Sequence, residues 1–79
     1  MPASGSAWIE RFAAALEVDL PSDADVEALL ELAGVAAHAS ERIAAPISCW
    51  LVATSGRSLA EARLIADAVA EELQRLESA

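Results

Sequence analysis

Toward its C-terminal end the chain repeats apolar residues in alternating steps of three and four: Leu59, Ala62, Ala66, Val69, Leu73 and Leu76. That period places all six on one side of an α-helix, as a seam that packs nearly parallel or antiparallel to another helix. Ser58 and Glu61 open the segment with the spacing of a capping box, in which the serine oxygen and the glutamate carboxylate satisfy free amides reciprocally. Residues 58–77 are therefore expected to be helical, and the rest of the chain has to supply helical partners.

Those partners are legible upstream. Trp8, Ile9, Phe12, Ala13 and Leu16 recur at helical spacing opposite Glu10, Arg11 and Glu17, which predicts a helix over 7–17. Residues 1–6 are small and polar, with Pro2 and Gly5, and are expected to form a disordered leader. The period breaks at Val18-Asp19-Leu20-Pro21, and Ser22 then stands as an N-cap before Asp23, Asp25 and Glu27, carboxylates that favour the positive end of a helix dipole. This second helix is expected over 22–43, with Val26, Leu29, Leu30, Ala33 and Ala37 facing inward and Gly34 giving room to a neighbouring backbone. Pro46 disfavours helical geometry at Ala45 and suits the first turn of a new helix, so a third helix is expected over 46–55 with Gly56 as its C-terminal cap. The apolar run from Ile47 to Val52 would also suit a buried strand, but no second alternating segment exists to pair with it. The expected fold is all-α: a compact four-helix bundle, helices about 7–17, 22–43, 46–55 and 58–77, forming a single domain over 7–79.

The core of such a domain is economical. Twenty of the apolar residues are alanine, leaving about two dozen larger side chains in 79 residues. Each contributes roughly 1.5–3 kcal/mol on burial, against about 1.5 kcal/mol per residue for ordering the chain, so association with a second chain would help. Thirteen acidic residues against five arginines give a net charge of −8, which repels phosphate backbones and anionic lipid surfaces. Nucleic acid and membrane are accordingly not expected as partners. The absence of lysine removes the usual Schiff-base nucleophile and the lysine of a phosphate loop. The one cysteine, Cys49, cannot form an internal disulfide, and no basic start with a long apolar run marks a signal peptide, so a cytoplasmic setting is expected.

Few residues suggest chemistry. His38, Glu41 and Arg42 fall within one turn of the second helix, where His38 could act as a base oriented by Glu41, or His38 and Arg42 could grip an anion. Basic groups near a helix C-terminus also simply complement its dipole. The loop from Thr54 to Ser58, with Arg57, precedes a helix N-terminus that could receive a phosphate, but a helix–helix turn with its two caps accounts for every residue in it. Trp8, one turn before Phe12, reads as a core residue, whereas Trp50, on the short third helix, suits core and interface equally. The acidic run Glu17, Asp19, Asp23, Asp25, Glu27 and Glu31 reads as a solvated face and lacks the ligand spacing of a calcium loop. Neither a metal nor a cofactor is expected, and the chain is not expected to be an enzyme.

The segment Ala37-His38-Ala39-Ser40-Glu41-Arg42-Ile43-Ala44-Ala45-Pro46, followed by Ile47 and Trp50-Leu51, resembles the central signature of a small actinobacterial domain of unknown function. That domain occurs beside, or fused to, molybdenum cofactor guanylyltransferase. The likeness runs from Ala7 onward, departing from the pattern at Gly34, Val35 and Ile43. It implies an accessory, noncatalytic role in making the guanine dinucleotide form of the molybdenum cofactor, with the guanylyltransferase as protein partner. His38, Glu41, Arg42, Pro46, Trp50 and Arg57 are the candidate contact residues. Two other readings stand beside it: a homodimer through the helix over 58–77, which at about 30 Å outreaches its neighbours, and a small protein holding a pterin or nucleotide anion among Arg42, Arg57 and Arg63.

Overall fold

A computed structural model describes residues 4–78. The chain is all-α, a four-helix arrangement of α1 (Gly5–Leu16), α2 (Asp23–Ala39), α3 (Ala44–Ser55) and α4 (Leu59–Ser78), with no strand among the described residues. No helix among them is long and apolar enough to cross a membrane.

Local chemistry explains each boundary, including those that differ from expectation. α1 begins at Gly5 rather than Ala7 because Ser4 caps it, its hydroxyl accepting from the Ala7 amide at 3.1 Å. Residues 4–6 are thus part of a capped helix and not a leader; the remainder of that stretch, 1–3, lies outside the described residues. α1 stops at Leu16 in a Schellman arrangement: Glu17 takes a left-handed conformation (φ 60°), its amide donates to Ala14 O, and the Val18 amide donates to Ala13 O. Ala13, drawn under that turn, is the buried residue of α1.

α2 opens on Ser22, whose Oγ accepts from the Asp25 amide at 3.1 Å, as its sequence position predicts. It ends at Ala39, four residues short of the expected Ile43. Ser40 Oγ donates to Ala36 O at 2.7 Å, competing for a carbonyl of the last turn, and the Ser40 backbone leaves helical geometry (φ −145°, ψ −102°). α3 starts at Ala44 and not at Pro46. The Ala44 and Ala45 amides turn tightly onto Glu41 O and Arg42 O, so the Arg42 carbonyl is already occupied where Pro46 has no amide to offer it. Gly56 closes α3 in a left-handed conformation (φ 71°). Ser58 Oγ accepts from the Glu61 amide at 3.1 Å and lies 3.4 Å from Glu61 Oε1, which is the capping box read from the sequence.

Packing is concentrated on α2, which lies against both α3 and α4, while α1 makes no comparable contact with any of them. Among the described residues Leu32, 2% exposed, is the one large side chain that is fully buried, accompanied by the small Ala13 and Ala62. Of the expected inward stripe of α2, Val26, Leu29, Ala33 and Ala37 are half-buried, whereas Leu30 is 68% exposed and the fully buried position is Leu32. Gly34 has nothing within 4 Å of where a Cβ would stand, so no neighbouring backbone uses the space it leaves. Across the α2–α4 contact, Arg63 donates to Glu31 Oε2 at 2.7 Å and, within α4, to Asp67 at 3.3 Å. The hydrogen bond to Asp67, partly opposed by desolvation and aided by the charges of Asp67 and Glu31, holds the Arg63 proton more tightly than usual.

Candidate functional site

Beside the exposed stripe of α1, two apolar surfaces are left by the packing of α2, α3 and α4. The first is a groove of about 380 Å³ with α2 as its floor and α3 and α4 as its walls. Leu32 and Val35 from α2, Leu51 and Val52 from α3, and Ile65 and Val69 from α4 line it. Arg57 at one end is the single ionisable residue along it among the described residues. Two of the four α2 residues that line the groove are alanines, Ala36 and Ala39, which let the helices approach but do little to fill the space between the walls.

The second surface is the outward side of α3. Ile43, Ile47 and Trp50 are three or four residues apart, so they share a face, and Pro46 joins Trp50 on it. All four are exposed, Trp50 by 66%. Trp50 is therefore a surface residue. Trp8, expected in the core, is also exposed, by 62%, and stacks on Phe12 with ring centroids 5.5 Å apart.

The polar candidates divide around these surfaces. His38 is exposed in the last turn of α2, the position in which a protonated imidazole complements the helix dipole. Glu41 and Arg42 occupy the connection to α3, where their carbonyls, not their side chains, organise the start of the helix. The three side chains are exposed, and no hydrogen bond joins them among the described residues. Arg57 faces Glu61 across 3.6 Å. Its own amide donates to Ser55 Oγ, while the Thr54 and Ser55 hydroxyls donate to Trp50 O and Val52 O. The loop from Thr54 to Ser58 is thus a helix–helix turn whose polar groups are used internally. Arg57 and Arg63 each face carboxylates of this chain. Cys49 is half-buried and unpaired, and the described residues contain no group of three His, Cys, Asp or Glu able to hold a metal ion.

The groove is not legible in the sequence, because Ser48, Leu51 and Val52 carry no signature beyond being apolar or small on a helix. The signal that could have found it is volumetric: a seam rich in alanine facing another helix rich in alanine cannot fill a three-helix junction.

Fold and surfaces together define a small helical domain with extensive unsatisfied apolar surface. The chain belongs to a family described as a domain of unknown function, DUF6457, whose pattern matches residues 2–79. Neither a curated protein nor a solved structure shows a significant match to it.

Proposed function

We propose that this domain is a noncatalytic interaction module that docks on a protein partner through the outward face of α3. The observation that carries the reading is the cluster of Ile43, Ile47 and Trp50 on one exposed helix face, large apolar side chains that a free surface has no reason to gather. Tryptophan is among the residues that dominate binding energy when desolvated at the centre of an interface. Arg42, in the connection leading into α3, and His38, near the end of α2, supply polar groups for the rim.

The sequence signature from Ala37 to Pro46, with Ile47, Trp50 and Leu51, coincides with this region and makes molybdenum cofactor guanylyltransferase the partner to test first. In that role the domain would act as an accessory to synthesis of the guanine dinucleotide form of the cofactor, with the chemistry residing in the transferase. Tagged chain mixed with the purified transferase is expected to retain it at micromolar concentration, and Trp50→Ala is expected to abolish retention while leaving helicity unchanged. Equal retention by Trp50→Ala and by the unaltered chain removes the α3 face from the reading; no retention by either removes this partner.

A further inference from the structure

The groove and α1 are complementary features left open in one chain. α1 presents Trp8, Ile9, Phe12 and Leu16 along one side, all exposed, and lies apart from the α2–α3–α4 unit. The groove runs along α4 from Ala62 to Leu73, a length of about 17 Å, against about 18 Å for the twelve residues of α1. None of the chain's thirteen acidic residues lines the groove, so a copy carrying the same net charge meets no carboxylate there.

No α1 residue lines the groove of its own chain, and the connection between α1 and α2 is partly extended. Pro21 biases Leu20 toward extended backbone, Ser22 is extended (φ −67°, ψ 162°), and the Schellman turn at Glu17 and Val18 closes the end of α1. The groove begins at Leu32, nine residues into α2 from the point where this connection arrives.

The exposed area points the same way. The chain exposes 6469 Å², whereas a compact monomer of 8.2 kDa exposes about 4,500 Å². The excess is about 2,000 Å² per chain, a reserve of exposed surface to which the arm and the open groove both contribute and from which a homodimer interface can be drawn. The radius of gyration of 14.5 Å exceeds the value of about 12 Å usual for a chain of this length, as an extended arm requires.

We infer that α1 of a second copy occupies the groove between α3 and α4, reciprocally, to form a two-fold dimer by exchange of the helical arm. This leaves the outward face of α3 free and so goes beyond the docking role proposed above.

The test uses the full chain and light scattering. The unaltered protein is expected at twice the mass of one chain. Phe12→Glu spoils the arm and Leu51→Glu spoils the groove; both positions are about half-exposed, so each variant is expected to keep its helicity by circular dichroism. Each alone is expected to dissociate on the order of a hundredfold more readily and to run as a single chain. Mixed together they are expected to recover a dimer, because the intact arm of one fits the intact groove of the other. The proposal is overturned if the unaltered protein has the mass of one chain, if either variant alone stays dimeric, or if mixing restores nothing. Trp50→Ala separates the two proposals: it is expected to stay dimeric while losing the transferase, and its dissociation to single chains would assign the α3 face to the dimer instead.

Discussion

Leu32 and Leu30 stand two positions apart on the same helix, and replacing each by alanine separates burial from every other property of a leucine. Leu32 is 2% exposed and Leu30 is 68% exposed. Truncating Leu32 removes about three methylene equivalents, worth about 2.4 kcal/mol at 0.8 kcal/mol each. A cavity term adds to this in a closed core, but Leu32 borders an open groove that can admit water or relax. The expected loss therefore lies near the low end of the usual range, at about 2.5–3 kcal/mol. A domain of 79 residues is stable by roughly 4–12 kcal/mol, so this one change removes a large fraction of the total. With an unfolding entropy of about 2.1 cal/mol/K per residue, the midpoint falls by about 15 °C. Leu30 buries roughly a third of its side chain, worth about 0.8 kcal/mol, and alanine returns a few tenths through helix propensity, leaving about 0.5 kcal/mol. Urea unfolding followed by far-UV circular dichroism, at one low protein concentration, measures both. Equal losses for the two variants would refute the placement of the α2 core line through Leu32.

The other predictions test the caps, the glycines and the ion pairs. Ser58→Ala is expected to lose about 1 kcal/mol, and Ser58→Asp to retain most of it, because a carboxylate can also accept from the Glu61 amide; equal losses in urea unfolding would contradict the cap. Gly34→Ala is expected to raise stability by about 0.5–1 kcal/mol, since nothing within 4 Å obstructs the new methyl, whereas Gly56→Ala, at φ 71°, is expected to lower it by about 1 kcal/mol. Glu17→Gly is expected to stabilise by relieving the left-handed conformation at the end of α1, read as a raised thermal midpoint. Arg63→Gln is expected to lower stability in low salt and to matter less as salt is added, because its partners Glu31 and Asp67 are largely exposed. The raised pKa of Arg63 implies stabilisation that is fully present below its ordinary value and is lost only in strong alkali, so its contribution is expected to stay flat across neutral pH.

What the sequence made legible were features that act over one or two turns. Ser22, Gly56 and the Ser58–Glu61 box located helix ends because capping is local chemistry. The ends that moved were set by competition the pattern does not display. Ser40 takes the Ala36 carbonyl and stops α2 early, and the Arg42 carbonyl, bonded by Ala45, lets α3 begin ahead of Pro46. The inward line of α2 could not be chosen because the stretch Ala28-Leu29-Leu30-Glu31-Leu32-Ala33-Gly34-Val35-Ala36-Ala37 is apolar nearly all round, so several stripes satisfy the helical period equally.

The same ambiguity governs function at a larger scale. A stripe such as Trp8, Phe12 and Leu16 says that a face belongs out of water, but its period is identical whether the covering surface lies in the same chain or in another. Here that face is left uncovered within the chain. Trp8 stacks on Phe12 within α1 and is exposed, while the groove on α2, half of whose floor is alanine, stays unfilled. Alanine accounts for both facts. It gives strong helix propensity and close approach of α2 to its neighbours, yet contributes too little volume to close the space between α3 and α4. A chain built this way forms its helices readily and leaves its core open, so in the dimer proposed above association would complete what folding begins. In that proposed dimer the outward face of α3, which carries the exposed Trp50, stays free for the docking role proposed for it.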